Sequence, residues 1–156
     1  MMTQNPRIVR YEIIAISLIL AAVFIYAAVD KLRDPLQFAD SVAAFAILPT
    51  VVITPFALSL PPFEILCGVL MLTPFTRRVA ALALMLATAM FFTALASALL
   101  RGLTLDCGCF GAGAPSRPRM WLEAGLDLLL FGGAMFVYLR SITQTTNTEN
   151  QFSIRQ

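Results

Sequence analysis

Cys107 and Cys109 stand one residue apart in Asp106-Cys107-Gly108-Cys109-Phe110-Gly111, and Cys67 is the third cysteine of the chain. Two thiols this close can cycle as a dithiol–disulfide couple or hold a soft metal ion such as Cu(I). A disulfide needs Cα atoms about 4.4–6.8 Å apart. An extended three-residue segment sits at or beyond that limit, so the chain must turn, and Gly108 permits the turn. The ring is strained, and strained, exposed disulfides have more oxidising potentials and tend to be labile or catalytic. A static bridge would close almost no chain and would add little stability through loop entropy. Asp106 disfavours a thiolate at Cys107, which leaves Cys109 as the easier attacking group. The metal reading uses the same pair and needs Cys67 or a methionine such as Met71 to complete the site.

The rest of the chemistry must be built without imidazole, because the chain has no histidine. This excludes His-based triads, His-ligated zinc or haem, and an imidazole proton shuttle. Acid–base work falls to carboxylates, Lys31, tyrosines or thiols. Glu64 and Asp127 lie inside apolar runs. An ionisable residue there is costly to bury, so its default reading is functional, and either carboxylate is a candidate to exchange protons with a thiol. The alternative is an interior hydrogen bond that fixes helix packing, with Tyr26 or Thr93 as partner. Glu123 shares a helix face with Asp127 and reads as interfacial. Cys67, one turn after Glu64, reads first as a small core hydrophobe and second as a third redox thiol. Lys31 and Arg33 read as helix-end charges paired with Asp30 or Asp34.

The elements that must position these groups are membrane helices. The chain has 156 residues, 59% of them hydrophobic and 13% charged, with a mean hydropathy of +0.82. Soluble domains are about half apolar and a quarter charged. The net charge of +2 and the lack of a basic block exclude a nucleic-acid partner. Four runs are long enough to span a bilayer: Ile13 to Val29, Val51 to Thr73, Val79 to Leu100 and Arg119 to Leu139. The first reads as a retained helix rather than a cleaved signal. The second holds Pro55, Pro61 and Pro62 and is expected to kink near the last two. Between the first two spans, Leu36 to Leu48 has the spacing of a short amphipathic helix. The fold class is therefore all-α: an integral membrane four-helix bundle with a short amphipathic helix in the first loop. Residues 1–12 form a cytoplasmic N-terminus, 13–140 the bundle, and 141–156 a polar tail expected to be disordered.

Four spans put both termini on one side. That side carries Arg7, Arg10, Arg77, Arg78, Arg140 and Arg155; the other carries Lys31, Arg33, Arg101, Arg117 and Arg119. The arginines before the first span orient the termini to the cytoplasm. The cysteine loop then faces the periplasm or exterior, where disulfides persist.

The combination of Asp30-Lys31-Leu32-Arg33-Asp34-Pro35, Leu48-Pro49, Pro61-Pro62-Phe63-Glu64 with Gly68, and Cys107-Gly108-Cys109-Phe110-Gly111 resembles the MauE/DoxX-like redox-associated membrane proteins over roughly Tyr11 to Arg140. The resemblance implies a four-helix bundle in the bacterial cytoplasmic membrane. It also implies a periplasmic thioredoxin-like partner and an exported, disulfide-rich client, as in maturation of methylamine dehydrogenase. The architecture is also similar to the vitamin K epoxide reductase group, which implies a membrane quinone as cofactor; that group separates its cysteines by two residues, this chain by one. The expectation is a membrane thiol–disulfide protein, an oxidoreductase in reaction type, using Cys107 and Cys109 with Glu64 and Asp127. The alternative is a membrane protein that handles Cu(I) or a small molecule with the same loop.

Overall fold

Five helices account for nearly all of the described residues: α1 (Pro6–Arg33), α2 (Pro35–Ala44), α3 (Thr50–Leu72), α4 (Arg77–Leu100) and α5 (Arg117–Ile154). The structure is a computed structural model that describes residues 6–105 and 116–154, with side chains over 9–105 and 116–143. α1, α3, α4 and α5 are each long and apolar enough to cross a membrane. They pack as a closed ring in that order, α1 against α3, α3 against α4, α4 against α5 and α5 back against α1, with α2 laid on α3. The all-α bundle with a short helix in the first loop is the fold the sequence predicts.

Each spanning helix turns one stripe inward at helical spacing. On α1 the buried positions include Ile13, Ser17, Leu20, Phe24, Ala28 and Lys31. On α3 they include Ile53, Ala57, Leu60, Glu64, Cys67 and Met71. On α5 they include Met120, Glu123, Asp127, Leu130, Ala134 and Val137. The small residues let the helices approach. A Cβ on Gly68 would lie 2.9 Å from Ile25 Cγ1, so α1 and α3 meet at van der Waals distance there. Gly133 faces Leu20 at 3.5 Å, whereas Gly132 has nothing within 4 Å. Of the two adjacent glycines, Gly133 alone is in a close contact between helices.

The ends of the elements differ from expectation in three places. α1 continues through Asp30-Lys31-Leu32-Arg33, so the first loop shrinks to Asp34. The Asp34 carboxylate accepts from Gln37 N–H at 3.0 Å and caps α2, with Pro35 at its first turn. α3 is assigned as one helix through Pro55, Pro61 and Pro62. α5 runs on to Ile154, where the sequence reading places a disordered tail. No glycine or proline follows Gly133 to stop it. α4 ends in a left-handed turn at Gly102, φ 73°. Gly102 N–H donates to Leu99 O and Leu103 N–H to Ala98 O, both at 3.0 Å, which satisfies the last carbonyls of α4.

Candidate functional site

Lys31 and Glu64 form the centre of the site. Both sit on the inward stripes of their helices, α1 and α3, which are neighbours in the ring. Lys31 Nζ donates to both Glu64 oxygens at 2.7 Å. The pair is sealed, at 2% side-chain exposure for each partner. Phe38 of α2 and Phe91 of α4 place their rings 5.5 Å from the ammonium. Each such ring adds about 0.5–2 kcal/mol of cation–π attraction, the upper end when the site is desolvated. A lysine in the last turn of a membrane helix has another option: it can snorkel to the interface. Here α2 lies over that end of the bundle, and Phe38 is itself buried, so Lys31 turns inward to the carboxylate.

This geometry corrects the sequence reading of Lys31, which pairs with neither Asp30 nor Asp34. Asp30 lies 3.9 Å from Arg33, and Asp34 caps α2. It also replaces the partners offered for Glu64. Tyr26 is 61% exposed, and Thr93 donates to Ala89 O within its own helix. The signal that finds Lys31 is its register: Ile13, Leu20, Phe24 and Lys31 share one face.

Asp127 lies across a small cavity from the pair. The cavity, about 20 Å³, is lined by Lys31, Glu64, Thr88 and Asp127, with Phe24, Phe91 and other apolar side chains as its walls. Asp127 is 7% exposed, and no hydrogen bond or ion pair joins its carboxylate to the described residues. Glu123, one turn earlier on α5, is buried. Its Oε1 accepts from Arg119 at 3.0 Å, while Oε2 is buried without a partner among the described residues. Glu64 and Asp127, the two carboxylates singled out from sequence, are thus brought to one cavity.

Cys67 belongs elsewhere. It is buried in the apolar cluster of Phe24, Met71, Leu84 and Leu130 and is a free thiol. Cys107 and Cys109 lie outside the described residues. Their loop joins the C-terminal end of α4 to the N-terminal end of α5. The segments flanking it are tied into the bundle: Arg101 donates to Phe45 O, and Leu105 N–H meets Met120 Sδ at 3.4 Å. Asp127 is ten residues into α5, roughly 15 Å along its axis from Arg117.

Comparison with known proteins follows this geometry. The family model described as methylamine utilisation protein MauE matches residues 9–140, nearly the whole span of the four membrane helices. The methylamine utilization protein MauE of Paracoccus denitrificans is 39% identical over 127 residues, covering 79% of this chain and 66% of the relative. That of Methylophilus methylotrophus is 35% identical over 109 residues, covering 69% and 55%. That of Methylorubrum extorquens is 35% identical over 111 residues, covering 68% and 59%. The matches thus span about 55–66% of the length of these curated relatives. No solved structure matches the chain. With four spanning helices, a buried polar centre and a family match over nearly all of its ordered length, the chain belongs to the MauE family of membrane proteins.

Proposed function

We propose that this chain is a membrane thiol–disulfide redox protein of methylamine utilisation, with Cys107 and Cys109 as its exchanging pair. It would sit in the bacterial cytoplasmic membrane with cytoplasmic termini and the cysteine loop on the periplasmic side. A thiolate of a periplasmic thioredoxin-like partner attacks the Cys107–Cys109 disulfide and forms a mixed disulfide. The partner's second thiol resolves it, leaving two thiols on this chain and a disulfide on the partner, which then serves an exported client. The same steps in reverse reduce the partner. Glu64 and Asp127 supply the acid–base capacity, in a chain without histidine.

The observation that carries this reading is the division among the three cysteines within a family match. Cys67 is enclosed in apolar packing, which keeps a thiol inert. The Cys-Gly-Cys pair occupies a connection between two spanning helices, at the end of the bundle that holds the buried charges. The names of the relatives supply the pathway.

The test is thiol trapping of the pair in membranes against a graded redox buffer. The expected result is a reversible two-electron transition above the roughly −300 mV below which structural disulfides lie. Two thiols that stay reduced across the range, or that become protected only when copper is added, would replace redox exchange with soft-metal handling.

A further inference from the structure

We propose that the cavity lined by Lys31, Glu64, Thr88 and Asp127 is a proton-binding site: it takes one water molecule and one exchangeable proton, the proton being carried by the Asp127 carboxylate. It deepens the acid–base role given to Asp127 above, and it stands on the residues of the cavity whether or not the cysteine pair exchanges electrons.

Size and partners fit a single water. The cavity volume of about 20 Å³ exceeds the roughly 10–15 Å³ that one water needs by this measure, and a buried water also needs two to four polar partners. Thr88 commits its hydroxyl hydrogen to Leu84 O or Met85 O, each at 3.0 Å, so its oxygen is left to accept. Lys31 has three N–H donors and directs two at Glu64, so a third can reach the water. The water's own two hydrogens then serve Asp127 and Thr88. These contacts join the unpartnered Asp127 to a pair otherwise complete in itself. Phe24, Phe91 and Leu130 wall the site.

The charges favour a proton over a metal ion. The ammonium of Lys31 already holds the cation position, 2.7 Å from both oxygens of Glu64. Lys31 and Glu64 sum to zero. Ionised Asp127 leaves the cluster at one net negative charge; protonated Asp127 leaves it neutral. The other titratable group near Asp127 is Glu123 on the same helix, and its charge is countered by Arg119. α4 brings to the cavity the uncharged Thr88 and Phe91, and α2 brings Phe38 over Lys31. A change of one proton on Asp127 is therefore the step by which this cluster switches between a charged and a neutral state.

Infrared titration of the full chain in lipid nanodiscs tests this, using the Cys107→Ser/Cys109→Ser double variant so that thiol chemistry plays no part. The expected result is a protonated-carboxyl band that titrates with pH and shifts in D2O. It moves when aspartate carboxyls carry 13C, stays in place when glutamate carboxyls do, and is lost in Asp127→Asn. Thr88→Val, close in volume, displaces the band without removing it. The proposal is overturned by the absence of a titrating band, by a band that follows the glutamate label, or by an aspartate band unchanged in Asp127→Asn. Should that variant fail to fold, an aspartate band unchanged in Thr88→Val overturns it equally.

Discussion

At one end of the bundle Ile13, Leu20, Ala81, Leu84, Ala134 and Val137 pack without a charge among them. At the other, Lys31, Glu64, Glu123 and Asp127 are buried, with Phe38 of α2 over Lys31. The helices are the same four. The difference is what their inward stripes carry along their length. The apolar end needs only shape, which alanines and glycines supply by letting backbones approach. The charged end is costly in a bilayer: a lysine or acid at a helix centre opposes insertion by about 2.5–3.5 kcal/mol on translocon scales. Lys31 and Glu64 persist there because they are paired, ring-stacked and sealed. The cysteines follow the same division, with Cys67 in the apolar end and the pair in the loop at the charged end.

The largest expected effect separates the thiols. Cys107→Ser or Cys109→Ser abolishes disulfide exchange with a thioredoxin-like protein, while Cys67→Ala keeps more than half of it, read by the rate at which the partner's dithiol and disulfide forms interconvert. Equal loss in all three variants would erase the division. Next comes the ion pair. Lys31→Met leaves Glu64 buried and uncompensated, and a broken buried pair costs about 3–5 kcal/mol. Detergent-titrated unfolding reads this, and Lys31→Met combined with Glu64→Leu should recover most of it. A double variant as unstable as the single would show that the pair itself is not what counts.

Smaller effects probe the apolar packing. Gly68→Val forces a methyl-bearing side chain against Ile25, already 2.9 Å from a Cβ at that position. Overpacking of this kind costs about 1–3 kcal/mol. Gly132→Ala meets open space and should stabilise α5 by about 0.5–1 kcal/mol through helix propensity. The same unfolding measurement gives both signs, and a destabilising Gly132→Ala would place an unseen neighbour on that face.

Much of this was legible beforehand, and the gaps have physical causes. The four spans, the short amphipathic helix and the two intramembrane carboxylates follow from hydropathy and register. Lys31 was misread because helix-end lysines commonly stay at the interface, and the cap that prevents this, α2, lies outside its own helix. That Glu123 faces the interior beside Arg119 depends on which stripe α5 turns inward, which its place near a helix start does not reveal. α3 continues as one helix through all three of its prolines.

The sequence alone determined how many times the chain crosses a bilayer, because hydrocarbon thickness sets the length of each apolar run. It also determined which residues share an inward face, because 3.6 residues per turn sets that register. Only the tertiary structure decided which charges meet. Lys31 and Glu64 are 33 positions apart, and their contact depends on how α1 and α3 are rotated and shifted against each other. Close packing at Gly68 sets that relation, and α2 folding over the end completes it. No spacing within a single helix encodes such a relation.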